Sequence, residues 1–121
     1  MHSVLAVDDS GSIRGLVSHV LGDAGYEVVL AEDGQEALDY AADNSVDVVL
    51  TDINMPRVNG IELIQKLRGM SHYKFTPMLV LTTESSQEMK MKGREVGATG
   101  WLVKPFDPDQ LIAVIKKVLP Q

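Results

Sequence analysis

Asp8, Asp9, Asp52, Thr82, Thr83 and Lys104 share one kind of position in the chain: each closes or directly follows a short apolar run. Asp8 and Asp9 follow Val4 to Val7, and Asp52 follows Val46 to Leu50 after one threonine. Thr82 and Thr83 follow Met78 to Leu81, and Lys104 follows Trp101 to Val103. Brought into one crevice, three carboxylates repel, each close pair by ~4 kcal/mol at 4 Å and an effective dielectric near 20. One remedy is to protonate a carboxyl. Another is a hard dication with oxygen ligands, for which Mg²⁺ held by a few carboxylates and waters is the common case. Lys104 adds a further positive charge. A dication beside an unengaged carboxylate, a lysine and a threonine hydroxyl suits phosphoryl transfer, which is mostly positioning and charge neutralisation. A carboxylate nucleophile would form an acyl phosphate.

Taken singly, each of these residues has a plainer role. An aspartate at a strand end commonly caps the next helix. A lysine before proline is usually a surface residue, and a strand-end threonine reflects β-propensity and turn hydrogen bonding. Their combination favours the chemistry.

The elements that must position them can be read from periodicity. Five short apolar runs, Val4 to Val7, Val28 to Ala31, Val46 to Leu50, Met78 to Leu81 and Trp101 to Val103, are mostly too continuous for one-sided strands and suit strands buried on both faces. Between them lie helical stripes such as Ile13, Leu16, Val17, Val20 and Leu21, or Leu111, Val114, Ile115 and Val118. Asp33 with Glu36, Asn59 with Glu62 and Ser85 with Glu88 offer N-cap acceptors followed by a carboxylate. Asp107-Pro108 opens the last helix and Pro120 follows it, while Gly25 and Gly97 sit where helices should stop. Strand then helix, five times, predicts an α/β chain with a doubly wound five-stranded parallel sheet and right-handed crossovers. Ligands on such sheets bind at the carboxyl ends of strands. The order 2-1-3-4-5, taken as an assumption, puts Asp8-Asp9, Asp52, Thr82-Thr83 and Lys104 in one crevice.

Composition narrows the function classes. The 121 residues suit a single domain, 1–121, with no repeat, linker or low-complexity tract. Seventeen acidic residues against 11 basic ones give a net charge of -6, the wrong sign for holding nucleic acid through its phosphates, so no DNA partner is expected. Cysteine is absent, which excludes disulfides, a thiolate metal site and a cysteine nucleophile. No apolar run approaches the ~18 residues of a membrane span, so a soluble, cytoplasmic protein with no membrane partner is expected.

Asp8-Asp9 after the first run, Asp52-Ile53-Asn54-Met55-Pro56 with Gly60 following, Thr82, and Lys104-Pro105-Phe106 together resemble the receiver domain of two-component response regulators over the whole chain. The likeness is greatest to the stand-alone chemotaxis members. It implies the flavodoxin-like, CheY-like three-layer sandwich with order 2-1-3-4-5. It further implies a phosphorylation-activated switch rather than an enzyme, with Asp52 accepting the phosphoryl group from a histidine kinase of the CheA-like type. Asp9, Asp52 and the backbone carbonyl of Asn54 would bind Mg²⁺, with Mn²⁺ as a substitute, and Asp8 would act through a coordinated water. No organic cofactor is implied. Lys104, the Thr82 hydroxyl and the Thr83 amide would hold the phosphoryl oxygens, and the Lys104-Pro105 bond would be cis.

The resemblance also assigns a switch. Thr82 would move toward the phosphoryl group and make space for an aromatic side chain on the fifth strand. Here that residue is Trp101, larger than the usual Tyr or Phe, and so a less freely buried rotor; a plain core or edge aromatic is the alternative. Asn54 and Glu84 match positions that tune dephosphorylation, and they imply a phosphorylated lifetime of seconds to minutes. The output face would be the fourth helix, fifth strand and fifth helix, toward a flagellar switch protein and a phosphatase, in chemotaxis and control of flagellar rotation by a monomer. Gly93, costing ~1 kcal/mol relative to Ala, should soften the fourth helix, where Met89 and Met91 are read as packing. Gly11 and Gly15 weaken the first helix, on which the kinase's phosphotransfer domain would dock.

Three other readings stand beside this one. A phosphatase of the haloacid dehalogenase type needs Asp-x-Asp after its first strand, whereas Asp8 and Asp9 are adjacent. A flavodoxin-like electron carrier needs a phosphate-binding loop there, and Asp8-Asp9 repels anions. A phosphate sink that drains a kinase without binding an effector is left open by the sequence.

Overall fold

Residues 2–119 are described in the computed structural model. The alternating runs and stripes fold as β1 (Ser3–Val7), α1 (Gly11–Asp23), β2 (Glu27–Ala31), α2 (Gly34–Asp43), β3 (Val48–Thr51), α3 (Gly60–Arg68), β4 (Met78–Thr82), α4 (Gln87–Val96), β5 (Gly100–Val103) and α5 (Pro108–Val118). A 3₁₀ turn, Ser71–Tyr73, lies between α3 and β4. All strand pairs are parallel and the order is β2-β1-β3-β4-β5, as assumed from the sequence. Pro120 lies outside the described residues.

Alternate strand residues face opposite helical layers, as the two-residue period of a strand requires. Leu5, Val7, Val49 and Val80 pack with Ala37, Leu63, Ile64, Leu67 and Tyr73 on one side. Val4, Ala6, Val48, Leu50, Leu79 and Leu81 pack with Val17, Leu21, Leu111 and Ile115 on the other. Each fully buried leucine contributes roughly 1.5–3 kcal/mol through apolar area removed from water. Two-sided burial holds for β1, β3 and β4, whereas the edge strands are partly open, with Leu30 of β2 and Val103 of β5 exposed. The third run also becomes a strand later than its apolar letters suggest, because Val46 and Asp47 precede β3.

The caps refine the sequence limits. Asn59 and Glu62 form a full capping box: Asn59 Oδ1 accepts from the Glu62 amide at 2.9 Å and Glu62 Oε1 from the Asn59 amide at 3.4 Å. Asp33 accepts from the Glu36 amide at 2.8 Å, but Glu36 turns to the Glu32 amide instead of closing the box. The cap of α4 is Ser86, accepting from the Met89 amide at 3.2 Å, and not Ser85, since the backbone is still extended at Ser86. Ser10 caps α1, a role the sequence reading did not assign. Within the α1 stripe Val17, Val20 and Leu21 are buried but Leu16 is 44% exposed, because the helix offers the sheet a narrower face than the stripe. Gly25 and Gly97 end their helices with φ of 96° and 109°, a backbone region that L side chains enter at a cost.

The α3–β4 connection ties two helix ends together. Arg68 donates from Nη1 to the Tyr73 carbonyl and from Nη2 to the Gly97 carbonyl, each at 2.8 Å. Tyr73 donates its hydroxyl to the Asn44 carbonyl at 2.7 Å, so the C-terminal ends of α2 and α4 are held by one short segment.

Candidate functional site

The parallel register sets Val7 of β1 opposite Thr51 of β3, so the residues that follow, Asp8 and Asp52, emerge side by side at the carboxyl edge. The Asp52 amide still donates to the Val7 carbonyl at 3.0 Å, and the Asp8 amide to the Ala31 carbonyl at 3.1 Å, extending the sheet by one residue under the site. Asp8, Asp9 and Asp52 each offer a carboxylate oxygen within 4.8 Å of the other two. Asp8 and Asp52 are buried while Asp9 is exposed.

From β5, paired through Thr82 and Val103, Lys104 follows the last strand residue and extends inward. Its Nζ donates to Asp8 Oδ2 at 2.7 Å and to Asp52 Oδ2 at 3.0 Å, with the Lys104-Pro105 bond cis. The other oxygen of each buried carboxylate is held by backbone: Asp52 Oδ1 accepts from the Ile53 amide at 2.7 Å and Asp8 Oδ1 from the Ser10 amide at 2.9 Å. Burial pulls the Lys104 ammonium pKa down, but hydrogen bonds to Asp8 and Asp52, and then their charges, outweigh burial and raise it. Lys104 is therefore charged at neutral pH. One ammonium against three carboxylates leaves a surplus of negative charge in a mostly buried cleft. An all-oxygen donor set with surplus negative charge, two members fixed and one open to solvent, fits a hard dication and no soft one. Asp9 and Asp52 would hold it, with Asp8 nearby.

The loop from β3 to α3 returns over Asp52. Gly60 donates its amide to the Ile53 carbonyl at 2.8 Å, and a Cβ at Gly60 would collide with the backbone oxygen of Asp52. Asn54 lies exposed in this loop.

At the end of β4 the Thr82 side chain is fully buried, and its oxygen accepts from the Glu84 amide at 3.3 Å. The Glu84 carbonyl accepts from Trp101 Nε1 at 2.9 Å. The backbone of Glu84 thus joins the Thr82 hydroxyl to the Trp101 indole. Trp101 is half-buried and lies over Gly93, where an added Cβ would approach its Cζ3 to 2.8 Å. Gly93 therefore makes room for the indole, a packing reason that the expected softness of α4 did not include. Met89 packs against the core while Met91 is 57% exposed, so the packing reading holds for only one of the two.

The structure brings Asp8, Asp9, Asp52 and Lys104 together and places Thr82 on the neighbouring strand. Asn54 and Thr83 are exposed and Glu84 half-buried, and among the described residues no side-chain hydrogen bond joins them to the acid cluster. Sequence reading missed Ser10, which was legible as a cap, and Arg14, whose Nη1 donates to the Asp8 carbonyl at 2.7 Å. It also missed Arg57, whose partner is 24 residues away.

Comparison with known proteins identifies the family. Residues 4–116 match the family model for the response regulator receiver domain. The chemotaxis protein CheY4 of Vibrio cholerae is 56% identical, with a TM-score of 0.95 covering 98% of this chain and 99% of that one. The response regulator protein TrrA of Thermotoga maritima, solved in complex with Mg²⁺ and BeF, is 34% identical with a TM-score of 0.88, covering 98% of this chain and all of that one. The transcriptional regulatory protein CpxR of Escherichia coli is 38% identical over 119 residues, which make up 98% of this chain and 50% of that protein. The chain spans about half the length of the curated relatives it matches.

Proposed function

The chain belongs to the response regulator receiver domains, switches of two-component systems phosphorylated on an aspartate by histidine kinases, and we propose that Asp52 is its phosphoacceptor. The observation that carries this reading is the Lys104 ammonium bridging Asp8 and Asp52 in a cluster that keeps surplus negative charge. Receiver domains bind Mg²⁺ at this acidic pocket; when bound, the ion would draw charge from the transferring phosphoryl oxygens. The chain's own residues do the positioning. The Ile53 amide fixes one oxygen of Asp52 and so sets the plane of the carboxylate. A new bond forms between an Asp52 oxygen and phosphorus as the phosphorus–nitrogen bond of the donor's phosphohistidine breaks, and the imidazole leaves with the electron pair. Asp8 keeps the Lys104 ammonium in place, ready to pair with the added oxygens once Asp52 carries the acyl phosphate. Thr82 accepts a hydrogen bond and still has its hydroxyl proton to give, and the Thr83 amide follows it along the chain.

The same reading makes Thr82 and Trp101 the switch. A Thr82 hydroxyl drawn toward the phosphoryl group releases the Glu84 amide, and the Glu84 carbonyl holds the indole of Trp101. Change at the phosphorylation site thereby reaches the surface formed by α4, β5 and α5. Asn54 and Glu84, polar and solvent-accessible, would admit the hydrolytic water and give a lifetime of seconds to minutes.

Chemotaxis is the favoured setting, supported by the likeness to CheY4 across nearly the full length of both chains. In that setting the donor is a CheA-like kinase, the output partner a flagellar switch protein, the signal is removed with help from a phosphatase, and the chain works as a single domain in the cytoplasm. No helix among the described residues is long and apolar enough to cross a membrane.

The test is incubation with acetyl phosphate and Mg²⁺ followed by intact-mass measurement. One phosphoryl adduct that Asp52→Asn abolishes is expected; sustained hydrolysis of varied phosphate esters would overturn the switch reading in favour of a phosphatase. Affinity for a flagellar switch peptide should rise on phosphorylation, and a flat response would favour a phosphate sink.

A further inference from the structure

Arg57 has a backbone that arginine rarely adopts. Its φ is 67°, and the Val58 amide donates to the Pro56 carbonyl across it at 2.8 Å. A three-residue turn with positive φ at its centre is rare and strained. Arginine has no short polar side chain to relieve that conformation locally, as Asn or Asp would.

The guanidinium instead reaches back to the start of α2. Nε donates to Asp33 Oδ2 at 3.1 Å, and Nη2 lies 2.9 Å from Oδ1 and 2.7 Å from Oδ2. This is the two-pronged arrangement in which arginine binds carboxylate with geometric specificity. Asp33 is itself fixed, because it caps α2 through the Glu36 amide. Val58 fits against Gly34 at the same corner, where a Cβ on Gly34 would strike the Val58 carbonyl oxygen. At its other end the loop is pinned by Gly60 against Asp52. The loop from Ile53 to Gly60 is thus held at two places, by Arg57 and Val58 on the start of α2 and by Gly60 on Asp52 and Ile53.

We infer that Arg57 is a positioning residue for the metal site: its clasp on Asp33 holds the strained turn that fixes the loop carrying Asn54, two residues after Asp52. This inference rests on the reading of the Asn54 backbone carbonyl as a Mg²⁺ ligand. Arg57 is 60% exposed along its side chain and Asp33 15%, so solvent at the guanidinium screens the pair and limits what it adds to stability. The backbone strain opposes stability. What the clasp supplies is therefore the location of a ligand, and loss of groups that orient ligands lowers metal affinity by roughly 10- to 100-fold.

The test uses the full chain, Mg²⁺ titration by calorimetry, and urea unfolding in EDTA. Arg57→Gly relieves the strain and removes the clasp, so it should bind Mg²⁺ about tenfold more weakly while its unfolding midpoint stays level or rises. Asp33→Asn keeps a good helix cap and should weaken Mg²⁺ in the same direction. The double variant should lose no more than either single one, because both break one contact. Mg²⁺ affinity of Arg57→Gly within about twofold of wild type, or affinity and stability falling together, would overturn the inference. If wild type bound no Mg²⁺, or Asp9→Asn left its binding intact, the underlying metal reading would fail instead.

Discussion

Replacing Asp52 by asparagine should stabilise the metal-free protein although Asp52 is buried and hydrogen-bonded. Asp8 and Asp9 each have an oxygen within 4.8 Å of one on Asp52, and at an effective dielectric of about 20 each repulsion is ~3.5 kcal/mol. Lys104, 3.0 Å away, returns ~5.5 kcal/mol at the same dielectric. The balance leaves the Asp52 charge unfavourable by ~1–2 kcal/mol. Asparagine keeps the oxygen that accepts from Ile53, and Lys104 keeps Asp8. Urea unfolding in EDTA should therefore show Asp52→Asn more stable by ~1–2 kcal/mol, or a melting temperature several degrees higher. Mg²⁺ at ten times its dissociation constant adds ~1.4 kcal/mol to wild type, while the variant, short of a ligand, gains less, so the difference narrows or inverts. An Asp52→Asn chain less stable than wild type in EDTA, or one with the full wild-type gain from Mg²⁺, would refute the electrostatic account.

Three further outcomes are expected. Gly60→Ala drives a methyl group into the Asp52 backbone oxygen; unfolding should show a loss of ~2–3 kcal/mol from overpacking, and adduct formation with acetyl phosphate should slow. Hydrogen bonds to Asp8 and Asp52, with their charges, hold the Lys104 pKa above its ordinary value despite the downward pull of burial. The stability this confers is complete below the unfolded value near ~10.4 and disappears as pH rises through the higher folded value. Wild type should thus lose stability more steeply than Lys104→Met in urea titrations above that pH, and parallel curves would count against it. Adding Mg²⁺ with a beryllofluoride phosphoryl mimic should change Trp101 fluorescence, since the indole is bonded to the residue that holds Thr82; an unchanged spectrum would leave Trp101 as plain packing.

Local pattern was enough for the strand–helix alternation, because two-residue and 3.6-residue periods and helix caps are properties of neighbouring letters. Where several letters could serve, the pattern erred by a residue or a face. Ser85 and Ser86 both suit a cap, and only the path of the chain out of β4 selects Ser86. Leu16 belongs to the α1 stripe by spacing, yet lies outside the surface the sheet covers.

For the site, the sequence by itself determined the cast: acids, threonines and a lysine at strand ends, which a parallel sheet must gather at one edge. The tertiary structure decided how they pair. Lys104 meets Asp8 across 96 residues and Asp52 across 52, Arg57 clasps Asp33 across 24, and Trp101 lies on Gly93. No local rule encodes those partners, because strand register and loop path choose which side chains share space. Asp52 is legible as an acid at a strand end from its letters alone; its bond to Lys104, and the surplus charge left around it, exist only in the folded chain.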